Sequence, residues 1–255
     1  MKRIALLPNI ITGLNFTFGI FSLMLTYDGE YVFASLCIFL AMLFDFLDGQ
    51  VARRHNATSQ FGIEFDSLSD LLSFGIAPGM LVFASSLHSL NEFGIVISIC
   101  YMLACGIRLA RFNSETNTAS SGTKVFIGLP SPASAGMVCS SLILLIKYNN
   151  PILIKLFPFT ILFVSFLMVS KVKYPVPIGF IFFLKSKIVG IYRLAFVAAA
   201  AFLLLLYTEI LIFNVFAIYM LFGLTRRIFI RTSVHAPQRL FIFSKLRQHR
   251  HTHKN

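Results

Sequence analysis

The chain has 255 residues, of which 57% are hydrophobic and only 13% are charged, and its mean hydropathy is +0.80. Soluble domains average about 25% charged residues, so this composition excludes an ordinary water-soluble enzyme and a disordered protein. Lys and Arg number 22 against 10 Asp and Glu, a net charge of +12, which suits nucleic acid, an anionic membrane surface or membrane topology until the charges are mapped.

Long apolar runs predict eight membrane spans, because about 20 consecutive apolar residues cross a bilayer as a helix. In chain order the predicted spans are 8–27, 31–53, 67–88, 92–111, 132–148, 152–170, 188–206 and 209–225. Pro78 predicts a kink in the third span. We therefore expect an all-α integral membrane protein, a bundle of about eight transmembrane helices, with one membrane domain at 1–225 and a basic tail at 226–255.

Basic residues gather in alternate loops of this arrangement. One set of loops holds Lys2, Arg3, Arg53, Arg54, Arg108, Arg111, Lys124, Lys171, Lys173, Lys185 and Lys187, and the tail from Arg226 holds eight more. The opposite loops hold Asp28, Glu30, Glu92 and Glu209, with Lys147 and Lys155 as the basic exceptions. The positive-inside rule then predicts a cytoplasmic membrane with both termini in the cytoplasm. Since topology explains most of the excess charge, we expect no nucleic-acid partner; the basic tail can lie on anionic lipid.

Half of the ten acidic residues fall between positions 45 and 70. Asp45 and Asp48 share a helix face near the cytoplasmic end of the second span, and Asp66 and Asp70 share a face at the start of the third. Carboxylates inside a span are costly and indicate a functional site. Four converging carboxylates would repel one another, whereas a hard divalent cation relieves the repulsion. Separate carboxylates reaching for the interface would explain one Asp but not two pairs.

The same segment contains a spaced pattern of eight fixed positions. It reads D-x-x-D-G-x-x-A-R, then eight residues, then G-x3-D-x3-D, and its members are Asp45, Asp48, Gly49, Ala52, Arg53, Gly62, Asp66 and Asp70 with the spacing between them. This pattern resembles the signature of the CDP-alcohol phosphotransferases, which transfer a substituted phosphate from a CDP-linked donor to an alcohol and release CMP.

The resemblance implies a role for each position. Asp45, Asp48, Asp66 and Asp70 would hold two divalent ions, Mg²⁺ or Mn²⁺, beside the pyrophosphate, and Asp70 would also be the general base. The small residues Gly49, Ala52 and Gly62 leave room for the nucleotide, and Arg53 can pair with a phosphate. The resemblance also implies a six-helix core and a homodimer, and the last two predicted spans would be two C-terminal helices added to that core.

Three further stretches resemble the bacterial and archaeal phosphatidylserine synthases, one branch of this family. They are the segment from Pro8 to Asn15, the extension from Asp66 to Pro78, and Arg108–Asn113 with Phe126–Ala133. The resemblance is strongest over 8–175. It implies CDP-diacylglycerol as donor and L-serine as acceptor, with the active site on the cytoplasmic side.

Several polar residues outside the pattern are candidates for substrate contacts. We expect Arg111 and Ser131 to lie near the acceptor pocket, with Arg108 and Lys124 adding positive charge for the carboxylate of the acceptor. The two arginines could instead serve topology by reaching the interface. Asn9 and Thr12, with Asn15, lie on one face of the first span, where they can contact the nucleotide or cross-link helices.

Two alternatives remain open from the sequence. The same chemistry could use glycerol 3-phosphate, inositol or choline as acceptor. A protein of another class, a divalent-metal transporter, could use the carboxylates as a permeation site, but its acids should lie near the membrane midplane, and the G-x-x-A-R segment would have no purpose there.

Overall fold

The computed structural model describes residues 6–55, 59–118, 126–174 and 208–234. Eight α-helices occupy these ranges: α1 (Leu6–Tyr27), α2 (Tyr31–His55), α3 (Gln60–Asp70), α4 (Ala77–Ser85), α5 (Glu92–Thr118), α6 (Ser131–Tyr148), α7 (Pro151–Val169) and α8 (Thr208–Val234). The all-α prediction is therefore confirmed.

Six of the helical stretches in the described ranges are long and apolar enough to cross a membrane. They are Leu7–Tyr27, Tyr31–Ala52, Gln60–Ser85, Glu92–Ser114, Ser131–Tyr148 and Pro151–Val169, and Glu209–Thr225 is a shorter apolar helix. Large apolar side chains such as Met24, Phe163 and Phe166 point outward, as they do in a protein surrounded by lipid. The chain is thus a multi-pass membrane protein. The predicted span at 188–206 lies outside the described residues.

Helices α1 and α2 form an antiparallel hairpin through a tight turn. Gly29 has φ +81°, a conformation that favours glycine, and the Glu30 N–H donates to the carbonyl of Leu25 at 2.9 Å. Within this hairpin, α1 packs against both α3 and α4, whereas α2 packs against α4 and α6.

The third span begins earlier than predicted. The hydropathy pattern placed its start at residue 67, which is wrong, because α3 begins at Gln60 behind Ser59, whose hydroxyl accepts from the Gly62 N–H at 3.0 Å. Asp66 and Asp70 consequently lie inside the helix rather than at its start. The polar first turns of α3 lowered the hydropathy there without preventing helix formation.

The third span is continuous but changes its winding at residues Leu71–Ile76, which form a π-helical turn between α3 and α4. Pro78 follows at the start of α4 and has no N–H for the carbonyl of Phe74, four residues before it. A π-helical turn absorbs such a break without ending the helix, and such turns are frequent at functional sites. The kink predicted at Pro78 is therefore found as a π-helical turn just before it.

The second half of the bundle encloses α6. Strand β1 (Phe126–Ile127) pairs antiparallel with β2 (Lys173–Tyr174), and this short ladder connects the segment before α6 to the segment after α7. Phe216 of α8 lies against Gly136 of α6. The buried apolar core runs through α2, α4, α5, α6 and α7. The carboxylates lie beside this core, at one end of α2 and α3.

Candidate active site

The acidic residues of α2 and α3 converge as the spacing predicted. Asp45, Asp48 and Asp66 each bring a carboxylate oxygen within 4.8 Å of the others. Asp48 is only 5% exposed, and Asp70, one helical turn beyond Asp66, is 9% exposed. Asp70 does not belong to this group of three. The structure therefore brings three of the four predicted carboxylates together, and the fourth, that of Asp70, lies one turn further along the helix.

The donor set suits a hard divalent cation. Carboxylate oxygens are the ligands that Mg²⁺ and Mn²⁺ prefer. Oδ1 of Asp66 is buried and has no hydrogen-bond partner among the described residues, which is costly unless another group supplies a positive partner. Asp45, Asp48 and Asp66 could therefore hold a metal ion, with Asp70 adjacent.

The polar face of α1 lies directly against these acids. Thr12 Oγ1 donates to Asp48 Oδ2 at 2.8 Å, and Asn15 Nδ2 donates to Asp70 Oδ1 at 3.3 Å. In the other direction, Ser69 and Ser73 donate to the carbonyls of Thr12 and Asn15 at 3.2 and 3.0 Å. Thr12 and Asn15 thus cross-link helices and orient two of the carboxylates. Cross-linking of helices is one of the two uses predicted for them; the other is contact with the nucleotide.

The small residues of the pattern lie on α2 and α3, and Gly62 of α3 is closely surrounded. A Cβ added to Gly62 would stand 2.9 Å from Asn9 Oδ1 and 3.1 Å from Ser59 Oγ, so a larger residue would displace Asn9. Gly49 and Ala52 lie on α2 after Asp48. Arg53 also belongs to α2, and its side chain lies outside the described part.

A second polar cluster lies between α5 and α6. Arg108 is 6% exposed, and its Nη1 donates to Oγ of the fully buried Ser131, the first residue of α6. The ring of Phe112 lies 6.0 Å from the guanidinium carbon. Arg108 is also close enough to Asp70 for their charges to interact, which places this cluster next to the acids.

The other predicted acceptor residues have different surroundings. Arg111 Nη1 donates to the carbonyl of Val169, the last residue of α7, where a cation is favoured by the helix dipole. Lys124 lies outside the described residues. Of these two arginines, Arg108 is therefore the buried one, and its charge interacts with that of Asp70.

Two residues beside the second cluster escaped the sequence analysis. Tyr101 is fully buried on α5 and Ser134 is fully buried on α6, and their hydroxyl oxygens lie 3.5 Å apart. The available signal was spacing alone: Tyr101 stands seven residues before Arg108 and so shares its helix face. That spacing also describes ordinary core residues, so it could not single out Tyr101.

Comparison with known proteins agrees with these arrangements. The sequence model of the family described as CDP-alcohol phosphatidyltransferase matches residues 5–169. The chain is 37% identical over 172 residues to CDP-diacylglycerol–serine O-phosphatidyltransferase of Helicobacter pylori, covering 67% of this chain and 72% of the relative. It is 38% identical over 169 residues to the protein of the same name from Bacillus subtilis, covering 66% of this chain and 89% of the relative. It is also 38% identical over 172 residues to archaetidylserine synthase of Methanothermobacter thermautotrophicus, covering 66% and 69%.

Proposed function

Because the chain belongs to the CDP-alcohol phosphatidyltransferase family, we propose that it transfers the phosphatidyl group of CDP-diacylglycerol to the hydroxyl of L-serine. The products are phosphatidylserine and CMP. The observation that supports this most directly is the convergence of Asp45, Asp48 and Asp66 beside Asp70, in a chain 37% and 38% identical to two serine phosphatidyltransferases. The activity makes the chain a transferase of phospholipid biosynthesis.

The acidic cluster is the part of the site that would hold divalent cations in this proposal. Asp45, Asp48, Asp66 and Asp70 would be the ligands of two ions, Mg²⁺ or Mn²⁺. When bound, such ions polarise the phosphoryl oxygens and stabilise the charge on the departing nucleotide phosphate. Thr12 holds Asp48 in place through its 2.8 Å hydrogen bond, and Arg53 with Gly49, Ala52 and Gly62 accommodates the nucleotide, with Asn9 beside Gly62.

Asp70 is the base that receives the proton of the serine hydroxyl. Its carboxylate is buried and held by Asn15, so its orientation is set before the acceptor arrives. The serine oxygen forms a bond to phosphorus while the bond from phosphorus to the CMP oxygen breaks. Water would compete with serine as nucleophile, and burial of Asp70 limits its access.

Arg108 is the residue that we assign to the carboxylate of serine. It is buried beside Ser131, and its charge interacts with Asp70, so a serine bound there presents its hydroxyl toward the base. Arg111 and Lys124 add positive charge to the approach from the cytoplasm. The contact of Arg111 with the Val169 carbonyl favours a supporting position for it.

The remaining features of the proposal concern the setting of the enzyme. The alternation of charged loops supports a cytoplasmic membrane with both termini and the site on the cytoplasmic side. Lys147 is an exception to that alternation, but its ammonium is paired with Glu209 at 2.7 Å. The pair is neutral overall, so Lys147 adds little net positive charge to its loop. The family resemblance supports a homodimer. The apolar and basic patterns support a membrane domain at 1–225 and a basic tail at 226–255, and α8 runs across that boundary to Val234.

An acceptor panel tests the proposal. The purified chain in detergent or vesicles receives CDP-diacylglycerol and Mn²⁺ or Mg²⁺, and CMP release is measured with serine, glycerol 3-phosphate, inositol and choline in turn. We expect release with serine that disappears when EDTA removes the metal. Release with another alcohol, or release independent of any alcohol, would contradict serine as acceptor, and metal transport without CMP release would indicate the transporter.

A further inference from the structure

Tyr101 is a buried tyrosine to which the proposed reaction gives no role. Its side chain is 0% exposed, and its hydroxyl donates to the carbonyl of Phe74 at 3.0 Å. The same oxygen lies 3.5 Å from Oγ of Ser134. A single hydroxyl on α5 thus contacts both the third span and α6.

The acceptor of this hydrogen bond lies at an irregular point of the third span. Phe74 belongs to the π-helical turn Leu71–Ile76, and Pro78 stands four residues after it. Because proline has no N–H, the α-helical bond to the Phe74 carbonyl cannot form, and a buried carbonyl needs a donor. The Tyr101 hydroxyl supplies that donor from another helix.

This contact lies between the two polar clusters of the site. The π-helical turn begins at the residue after Asp70. On the opposite side, Ser134 Oγ donates to the carbonyl of Ser131 at 2.7 Å, and Ser131 accepts from Arg108. Tyr101 and Arg108 are both buried on the same face of α5, seven residues apart.

We propose that Tyr101 is a positioning residue, whose hydroxyl fixes the helix segment of Asp70 relative to Ser131 and Arg108. The inference rests on the proposed function, since it takes Asp70 as the base and Arg108 with Ser131 as the acceptor side. Base and acceptor must meet within hydrogen-bond distance, and a displacement of about 1 Å can cost about a hundredfold in rate. Tyr101 controls that separation without touching either substrate.

The test compares Tyr101→Phe with a matched tyrosine. Tyr31 also donates its hydroxyl to a carbonyl of the third span, that of Ala84 at 3.1 Å, but ten residues beyond Phe74. For Tyr101→Phe we expect kcat to fall by about tenfold and KM for serine to rise by about threefold. KM for CDP-diacylglycerol should stay within about twofold, because the acidic cluster retains its Thr12 and Asn15 contacts. Tyr31→Phe should leave all three constants within about twofold.

A double variant separates positioning from stability. In Tyr101→Phe combined with Pro78→Ala, residue 78 regains an N–H that can bond the Phe74 carbonyl. We expect the thermal midpoint to recover toward that of the wild type while kcat stays low, because the bond now forms within the helix and no longer connects it to α5. This variant also supplies a folded protein for kinetics if Tyr101→Phe alone does not fold.

The outcomes separate this inference from the proposed function. Equal kinetics for Tyr101→Phe and Tyr31→Phe, in a chain that transfers to serine, overturn the inference alone. Recovery of kcat together with the thermal midpoint in the double variant overturns it as well. If the wild type uses another alcohol, the assignment of serine as acceptor fails. The kinetics of Tyr101→Phe and Tyr31→Phe are then compared with that alcohol, and equal kinetics again overturn the positioning role of Tyr101. Absence of CMP release with every alcohol contradicts both proposals.

Discussion

The two polar clusters of the site are satisfied in different ways. The acidic cluster of α2 and α3 gathers three carboxylates within 4.8 Å and leaves Asp66 Oδ1 without a hydrogen-bond partner among the described residues. The cluster between α5 and α6 surrounds one cation, Arg108, with the hydroxyl of Ser131 and the ring of Phe112. The first cluster offers carboxylate oxygens to an external cation, whereas Arg108 in the second cluster already has a neutral hydrogen-bond partner. Proximity of Arg108 to Asp70 connects them.

The largest effect should come from the acidic cluster. Asp70→Asn removes the proton acceptor while keeping the size of the side chain, so CMP release should fall by about a thousandfold. Binding of CDP-diacylglycerol, measured by isothermal titration with metal present, should change much less. Asp28→Asn, in the turn between α1 and α2, is the control and should retain full activity. Near-normal turnover of Asp70→Asn would contradict its assignment as the base.

A smaller and more selective effect is expected from the second cluster. Arg108→Gln removes a charge-assisted contact worth about 1.5–3 kcal/mol, so KM for serine should rise by about tenfold to a hundredfold. KM for CDP-diacylglycerol should stay within about threefold. Arg111→Gln tests the distinction drawn between the two arginines, and its effect on the serine KM should be clearly smaller. The reverse order would exchange their roles.

The support that α1 gives to the acids should be measurable but modest. Thr12→Val keeps the shape of the side chain and removes the 2.8 Å hydrogen bond to Asp48, so the Mn²⁺ concentration that gives half-maximal activity should rise by about threefold to tenfold. Thr17→Val is the matched control on the same helix, because its hydroxyl donates to the Gly13 carbonyl one turn back, away from the acids of the pattern. An equal metal dependence for both variants would remove Thr12 from the metal site.

The smallest effect should be found outside both clusters. Lys147 and Glu209 form an exposed ion pair between α6 and α8, and such pairs contribute little. Lys147→Met should leave kcat and both KM values within about twofold, measured in the same CMP assay. A large loss of activity would show that α8 influences the site through this contact.

The sequence could predict the acidic cluster because the helix period places Asp45 with Asp48 and Asp66 with Asp70, and a short loop brings the two helices together. The start of the third span was missed because hydropathy does not detect a Ser59 cap before a polar first turn. The sequence favoured Arg111 over Arg108 for the acceptor pocket, because their different neighbours on α6 and α7 are distant in sequence and could not be foreseen. Tyr101 was missed because its partner is a backbone carbonyl, that of Phe74. This carbonyl lacks its α-helical partner because of Pro78, and the sequence does not show which side chain replaces that partner.

The most direct measurement counts serine incorporated against CMP released. The purified chain receives CDP-diacylglycerol, divalent metal and isotopically labelled L-serine, and both products are quantified by mass spectrometry in the same reaction. The account predicts one labelled phosphatidylserine for each CMP, and loss of both products together in Asp70→Asn. CMP released without labelled phospholipid, or labelled phospholipid formed at the wild-type rate by Asp70→Asn, would contradict it.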